Sequence, residues 1–260
     1  MIITVINQKG GVGKTATVQS FAAALCRRGE KDEPKSRVLM VDMDAQCSLT
    51  FTTGALPSAS DVWDVLFNKR DAGIAAIHTH TYGDIVRGSP YLAASEKEFG
   101  GRADVLLDAL DAVRDDYDYI LVDTPPGLGI VSANCLAASD CVIIPVTSEA
   151  MSLQGAYALR QSIETLRAAG YVIDIAGLLV TKYNPRSALA RQIEPALRQT
   201  AADLGTRVFD TRIRACAPMA AALTYQEDIF TYAPKSNAAA DYAAAVEEFL
   251  KGLENTDGKA

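Results

Sequence analysis

The octet Gln8-Lys9-Gly10-Gly11-Val12-Gly13-Lys14-Thr15 constrains this chain more than any other stretch. It follows an apolar run, Ile2-Ile3-Thr4-Val5-Ile6, and leads into Ala16 to Arg28, where Val18, Phe21, Ala22 and Leu25 recur at helical spacing. Strand, glycine loop and helix in that order make a phosphate cradle. The glycines let the backbone curl with its N–H groups inward, and the helix adds the positive end of its dipole. Lys14 and Thr15 stand where such a loop needs an ammonium for the β- and γ-phosphates and a hydroxyl for Mg²⁺. A glycine-rich turn that merely joins a strand to a helix is the competing reading, and the spacing G-x-x-x-x-G-K-[ST] tests it. The first position departs from that spacing: Gln8 stands where glycine is usual, and a second lysine, Lys9, follows it.

Two later strands deliver acids toward the same kind of edge. Arg37-Val38-Leu39-Met40-Val41-Asp42 is a buried-strand run that ends in a carboxylate, with Asp44 two residues on in Met43-Asp44-Ala45-Gln46. Carboxylates at the carboxyl end of a parallel strand lie where open α/β sheets bind ligands, although a polar loop after a strand looks the same in isolation. Tyr119-Ile120-Leu121-Val122-Asp123 repeats the arrangement and runs into Thr124-Pro125-Pro126-Gly127. An acid so placed holds Mg²⁺ through its water shell.

Elsewhere apolar runs and helical patterns alternate. The spacing predicts a short helix at 60–67 with Ser60 as its N-cap, a strand near an edge at 84–88, and a helix around Val105 to Leu110. Helix 131–139, strand Cys141 to Val146, helix 153–168 and strand Ile173 to Val180 follow, then an alanine-rich C-terminal helix. This alternation predicts an α/β fold, a mostly parallel twisted sheet with helices on both faces, of the P-loop NTPase type. One domain over 1–260 accounts for it, since no linker or repeat interrupts the pattern. The charged, proline-containing segment 30–36 reads as a surface loop.

A hydrophobic share of 49% with 22% charged residues excludes disorder as the default. The net charge of −7 excludes a generally basic surface, so any nucleic-acid contact must come from a local patch. Lys182, Arg186, Arg191, Arg198, Arg207, Arg212 and Arg214 stand against three acids between 182 and 214, a local excess of four positive charges. Arginine suits contacts that position a duplex by its phosphates, and a solvated helix face would carry the same residues. Cys26, Cys47, Cys135, Cys141 and Cys216 are scattered without a CxxC pair and read as reduced thiols, and His78 and His80 as loop residues rather than metal ligands. The chain opens on an apolar strand with no leader pattern and has no apolar run near the roughly 18 residues of a membrane span, so a cytoplasmic protein is expected.

The loop K-G-G-V-G-K-T, the D-x-D-A-Q stretch at Asp42 and the D-T-P-P-G stretch at Asp123 together resemble the ParA/MinD/nitrogenase-iron-protein superfamily, and within it the ParA/Soj-type partition ATPases, over nearly the whole chain. The resemblance implies ATP and Mg²⁺ as cofactors, cradled by Lys9, Gly10, Gly11, Val12, Gly13, Lys14, Thr15 and Ala16. Lys9 is implied to reach across a homodimer interface to the nucleotide of the other subunit, which makes Lys9, Lys14 and Asp44 the catalytic set, with Asp44 orienting the attacking water. Thr15, Asp42 and Asp123 are the implied metal residues, Asp42 through the water shell. Ala45 replaces the usual proline of this motif, which would loosen the loop because proline fixes φ.

By the same resemblance Thr181, Lys182 and Asn184 form a purine-contacting turn, although an ordinary loop reads equally well there. The segment Thr211 to Tyr242, with Ile213-Arg214, Ala217-Pro218 and Tyr232-Ala233-Pro234-Lys235-Ser236, looks like the C-terminal region of ParA/Soj proteins. It implies non-specific DNA contacts by Arg186, Arg212, Arg214 and Lys235. The implied cycle is an ATP dimer that binds nucleoid DNA and a ParB-like partner that stimulates hydrolysis and release. A MinD-like membrane-cycling or cargo-positioning ATPase is the alternative. The membrane form needs a basic amphipathic helix, whereas Val246 to Glu254 is acidic, so no membrane partner is expected. An iron–sulfur reductase needs two suitably placed cysteines; Cys135 lies after the D-T-P-P-G stretch, but no cysteine stands in a matching earlier loop. No helix-turn-helix precedes the first strand, so operator binding is not expected.

Overall fold

Continuous apolar strands demand cover on both faces, and the chain supplies it. The computed structural model describes residues 1–27, 36–79 and 82–257, so most of the 30–36 loop and His80 lie outside the described residues. In chain order the elements of the first half are β1 Ile2–Val5, α1 Lys14–Arg27, β2 Val38–Asp42, α2 Ser48–Thr52, α3 Val62–Phe67, α4 Ala72–Ala75, β3 Ile77–Thr79, β4 Gly83–Val86, α5 Glu96–Phe99 and α6 Val105–Asp111. The second half holds β5 Tyr119–Asp123, α7 Ile130–Ala137, β6 Cys141–Val146, α8 Ala150–Ala168, β7 Asp174–Tyr183, α9 Ala188–Gln192, α10 Glu194–Asp203, β8 Val208–Arg214, α11 Ala217–Thr224, α12 Ile229–Tyr232 and α13 Asn237–Asp257.

Among the described residues eight strands lie in one sheet, ordered β3-β4-β2-β5-β1-β6-β7-β8. Every neighbouring pair is parallel except β3 with β4, which is antiparallel. Side chains alternate across the sheet with a period of two. Ile3, Val5, Val38, Met40, Leu121 and Ile143 face a core shared with α1 and α13. On the other face Ile2, Leu39, Val41, Ile120 and Val122 pack with α3, α6 and α7, and Val142, Ile144, Leu178 and Val180 pack with α8 and α10. The parallel sheet with helices on both faces is therefore as the alternation predicts.

Three local features differ from expectation. The cap of α3 is Asp61 rather than Ser60: its carboxylate accepts from Trp63 N at 2.9 Å, and Asp64 accepts from Asp61 N at 3.3 Å, a reciprocal box that Ser60 stands one residue too early to make. Strand β4 is near the edge as expected, but the three-residue β3, which the spacing does not predict, pairs outside it. Strand β7 runs on to Tyr183, since β8 pairs alongside it through Val180↔Arg212 and Tyr183↔Arg214. Thr181 and Lys182 thus lie in a strand and not in a turn.

The C-terminal helix α13 spends its apolar face inside the protein. Tyr242 and Phe249 meet Phe21 of α1 edge-on, at centroid distances of 6.5 and 6.1 Å. Among the described residues no helix is long and apolar enough to cross a membrane, and no disulfide joins the cysteines.

Candidate active site

The phosphate loop links β1 to α1. Gly11 and Gly13 have φ of 75° and 87°, the left-handed region that a side chain resists, so the glycines are what permit the curl. The helix starts at Lys14 itself, which brings its N–H groups to the mouth of the loop. Thr181 braces the loop from β7, donating its Oγ1 to the Val12 carbonyl at 2.7 Å. Gly127 N donates to the Gln8 carbonyl at 3.1 Å and ties the segment after β5 to the other flank.

Lys14 is 7% exposed and curls back so that Nζ donates to the Lys9 carbonyl at 3.4 Å. Burial lowers its pKa, while Asp123 and then Asp44 act in the opposite direction. A cation held in this way lacks a counter-anion of full strength, which a polyphosphate would supply.

Thr15 Oγ1 donates to Asp123 Oδ2 at 2.7 Å. The second oxygen, Oδ1, is buried with no hydrogen-bond partner. Burial raises the pKa of Asp123, and the neighbouring Asp42 carboxylate raises it further. An orphaned buried carboxylate oxygen beside a threonine hydroxyl fits a hydrated Mg²⁺. Among the described residues no group of three or more His, Cys, Asp or Glu side chains could hold a metal alone. That suits Mg²⁺, which usually takes part of its shell from water and substrate phosphates rather than from an all-protein cage.

Asp42 is fully buried and pairs with Asp123 in the sheet register. Its Oδ2 accepts from Thr50 N at 2.8 Å and Thr50 Oγ1 at 2.7 Å, and its Oδ1 accepts from Asp44 N at 3.2 Å. Gly88 closes this cluster by donating its N–H to Thr50 Oγ1 at 2.8 Å, and a Cβ there would come within 2.8 Å of Asp42 Cγ. The contacts of Asp42 in the structure are those of a pin for the loop after β2. Burial raises its pKa against the Thr50 hydrogen bonds. Asp44, 9% exposed, turns its Oδ1 to Gln46 N at 2.9 Å and faces the cavity.

The cavity measures about 750 Å³ and runs from Gly10, Lys14, Thr15, Ala16 and Asp44 past Thr181 and Lys182 to α11. Its far wall is Ile213, Cys216, Ala217, Met219, Ala220, Leu223 and Tyr242. Sequence reasoning connected this segment to DNA and missed its place in the pocket. The available signal was the strand β8 followed at once by Cys-Ala-Pro, with Pro218 in the first turn of a helix at the carboxyl edge of the sheet. Val12 is buried below the loop, and Asn184 is not among the cavity residues: its Oδ1 accepts from Arg186 N at 3.0 Å and closes a local turn.

Of the four residues expected at DNA, two are engaged within the subunit. Arg214 forms a forked pair with Asp241 of α13, at 2.6 and 2.9 Å, and Arg212 reaches Glu194 of α10 at 3.2 Å. Strand β8 lies between those helices, so its arginines find acids within the subunit, with the Arg214 side chain still 39% exposed. Arg186 and Lys235 are exposed. Arg207 likewise pairs with Glu248, so Asp241 and Glu248 of α13 halve the local positive excess read from the sequence.

A family model described as an AAA domain matches residues 1–174. The chromosome-partitioning ATPase Soj of Thermus thermophilus is 35% identical over 95% of this chain and 94% of its own length. The chromosome partitioning protein ParA of Caulobacter vibrioides is 30% identical over 100% and 97%. The chain belongs to the ParA/MinD superfamily of partition ATPases. A solved structure, the cobyrinic acid a,c-diamide synthase of Mycobacterium smegmatis with bound ATP analogue and magnesium, superposes with a TM-score of 0.81 at 27% identity, covering 97% of this chain and 95% of that one. As a member of this family the chain is a P-loop ATPase.

Proposed function

We propose that the chain is a partition switch of the ParA/Soj kind, acting as a single unit over 1–260: ATP joins two copies, the dimer holds DNA without regard to sequence, and hydrolysis releases it. The observation that carries the reading is the convergence of Lys9, Lys14, Thr15, Asp44 and Asp123 on one sheet edge, with Lys9 Nζ held outside its own phosphate loop, on Glu149. A lysine in that position serves a nucleotide other than its own. Thr15 would hold Mg²⁺ and Asp123 would support it through water, and the ion would supply positive charge against the phosphates. Lys14 neutralises the terminal phosphates, Lys9 adds charge from the partner copy, and Asp44 orients the nucleophilic water. Asp42 holds the Asp44 loop and supports the metal's water shell. Thr181 and Lys182 line the base end.

DNA contact is assigned to Arg186 and Lys235 on the exposed surface, supported by Arg191 nearby in sequence. The overall charge of −7 makes such contact local and salt-sensitive. A ParB-like partner supplies the stimulation that a slow intrinsic ATPase requires, and the site of action is the nucleoid in the cytoplasm. A MinD-like membrane role is disfavoured by α13, whose apolar residues Ala238, Tyr242, Ala245, Val246 and Phe249 are already buried. Light scattering with ATP, ADP and no nucleotide tests the reading: a dimer with ATP alone supports it, and a monomer throughout contradicts it.

A further inference from the structure

Lys9 is anchored at its backbone and exchangeable at its tip. Its N–H donates to Asn7 Oδ1 at 3.0 Å, and Asn7 Nδ2 donates to the Pro145 carbonyl of β6 at 2.8 Å. Gly155 of α8 lies against this joint, where a Cβ would collide with Asn7 Oδ1 and come within 3.2 Å of Lys9 N. The Lys9 ammonium, by contrast, pairs with the carboxylate of Glu149, the N-cap residue of α8, and the two side chains are 25% and 64% exposed. The hydrogen bond from Lys9, and then its charge, holds the Glu149 carboxyl below the usual range.

We propose that Glu149 is a positioning residue that keeps Lys9 within its own subunit until the triphosphate of a second copy of this chain competes for it. The inference rests on the ATP-dependent dimer proposed above. An exposed ion pair holds weakly, so Lys9 can leave without disturbing the loop that Asn7 fixes. A nucleoside triphosphate carries several negative charges against one on Glu149, and closing an interface over it removes the water that screens the attraction. Lys9 therefore transfers when partner and triphosphate are both present and stays on Glu149 otherwise. The pair sets a threshold for dimer formation.

The threshold is measurable as the ATP concentration that gives half-maximal dimer by sedimentation velocity. Glu149→Gln lowers it about two- to five-fold, Glu149→Asp stays close to wild type, and the difference shrinks as salt rises. A second readout is the ¹³C-detected titration of the Glu149 carboxyl in the nucleotide-free protein, which lies below the usual range and returns to it in Lys9→Met. An unchanged or raised ATP requirement in Glu149→Gln, or a Glu149 titration indifferent to Lys9→Met, overturns the proposal. A wild-type chain that stays monomeric at saturating ATP overturns the dimer reading, and the proposal with it; a Glu149 defect in a chain that does dimerise is the proposal's failure alone.

Discussion

Thr15 Oγ1 and Asp123 Oδ2 lie 2.7 Å apart, so the first turn of α1 and the end of β5 are joined side chain to side chain. The hydroxyl and the carboxylate come from positions 108 residues apart, and the parallel pairing of β1 with β5 brings them together. The Asp123 oxygen left without a partner is the cost of that preorganisation.

Asp123→Asn is expected to stabilise the nucleotide-free protein by about 1–3 kcal/mol, because a neutral amide replaces a buried, under-satisfied charge. The same variant loses the added thermal stability that Mg²⁺ gives to the ATP complex. Differential scanning fluorimetry with ATP, with and without Mg²⁺, reads both effects, and a destabilised apo protein with intact Mg²⁺ response counts against the site.

Lys14→Ala is expected to weaken ATP binding about 10- to 100-fold, the loss of a charge-assisted contact to phosphate. Isothermal titration with a non-hydrolysable analogue measures it. Affinity equal to wild type removes the phosphate-loop assignment.

Asp44→Ala leaves the fold and ATP binding in place and slows hydrolysis by about 100-fold or more, as expected for loss of a residue that orients the nucleophile. The variant accumulates as an ATP dimer on DNA. Single-turnover phosphate release at the wild-type rate refutes the role given to Asp44.

How far the sequence revealed the site depends on the kind of contact. Lys14, Thr15, Asp44 and Asp123 were legible because each stands at a fixed offset from a strand end, and strand ends are what apolar runs mark best. The ion pair of Arg214 was not legible because charge density along the chain says nothing about Asp241, 27 residues on, which approaches only when α13 packs on β8. Ala217, Met219 and Leu223 carry no polar signature, so their place in the cavity appears only once α11 is docked beside the loop. The parallel sheet was legible throughout, and β3 was not, since three residues at an edge leave no periodicity to read.

Gly155→Ala tests the joint under Lys9. The added methyl meets Asn7, which is buried and already bonded to Pro145, so the cost is about 1–3 kcal/mol of overpacking. ATP-dependent dimerisation falls with it. Wild-type stability in this variant would show that the loop yields freely.

The exposed cations give the direct test of the DNA surface. Arg186→Glu combined with Lys235→Glu weakens DNA retention at moderate salt while ATP-dependent dimerisation persists. Arg214→Glu is a different experiment, because it sets a carboxylate against Asp241 and lowers the unfolding midpoint. Equal retention of the double variant on DNA removes the two residues from the interface.

A nucleotide-gated hold on DNA is read from the retention of the wild-type chain on random-sequence duplex with Mg²⁺ and ATP, with Mg²⁺ and ADP, and without nucleotide. Retention with ATP alone is the expected result. Equal retention under all three conditions, or none under any, contradicts the account.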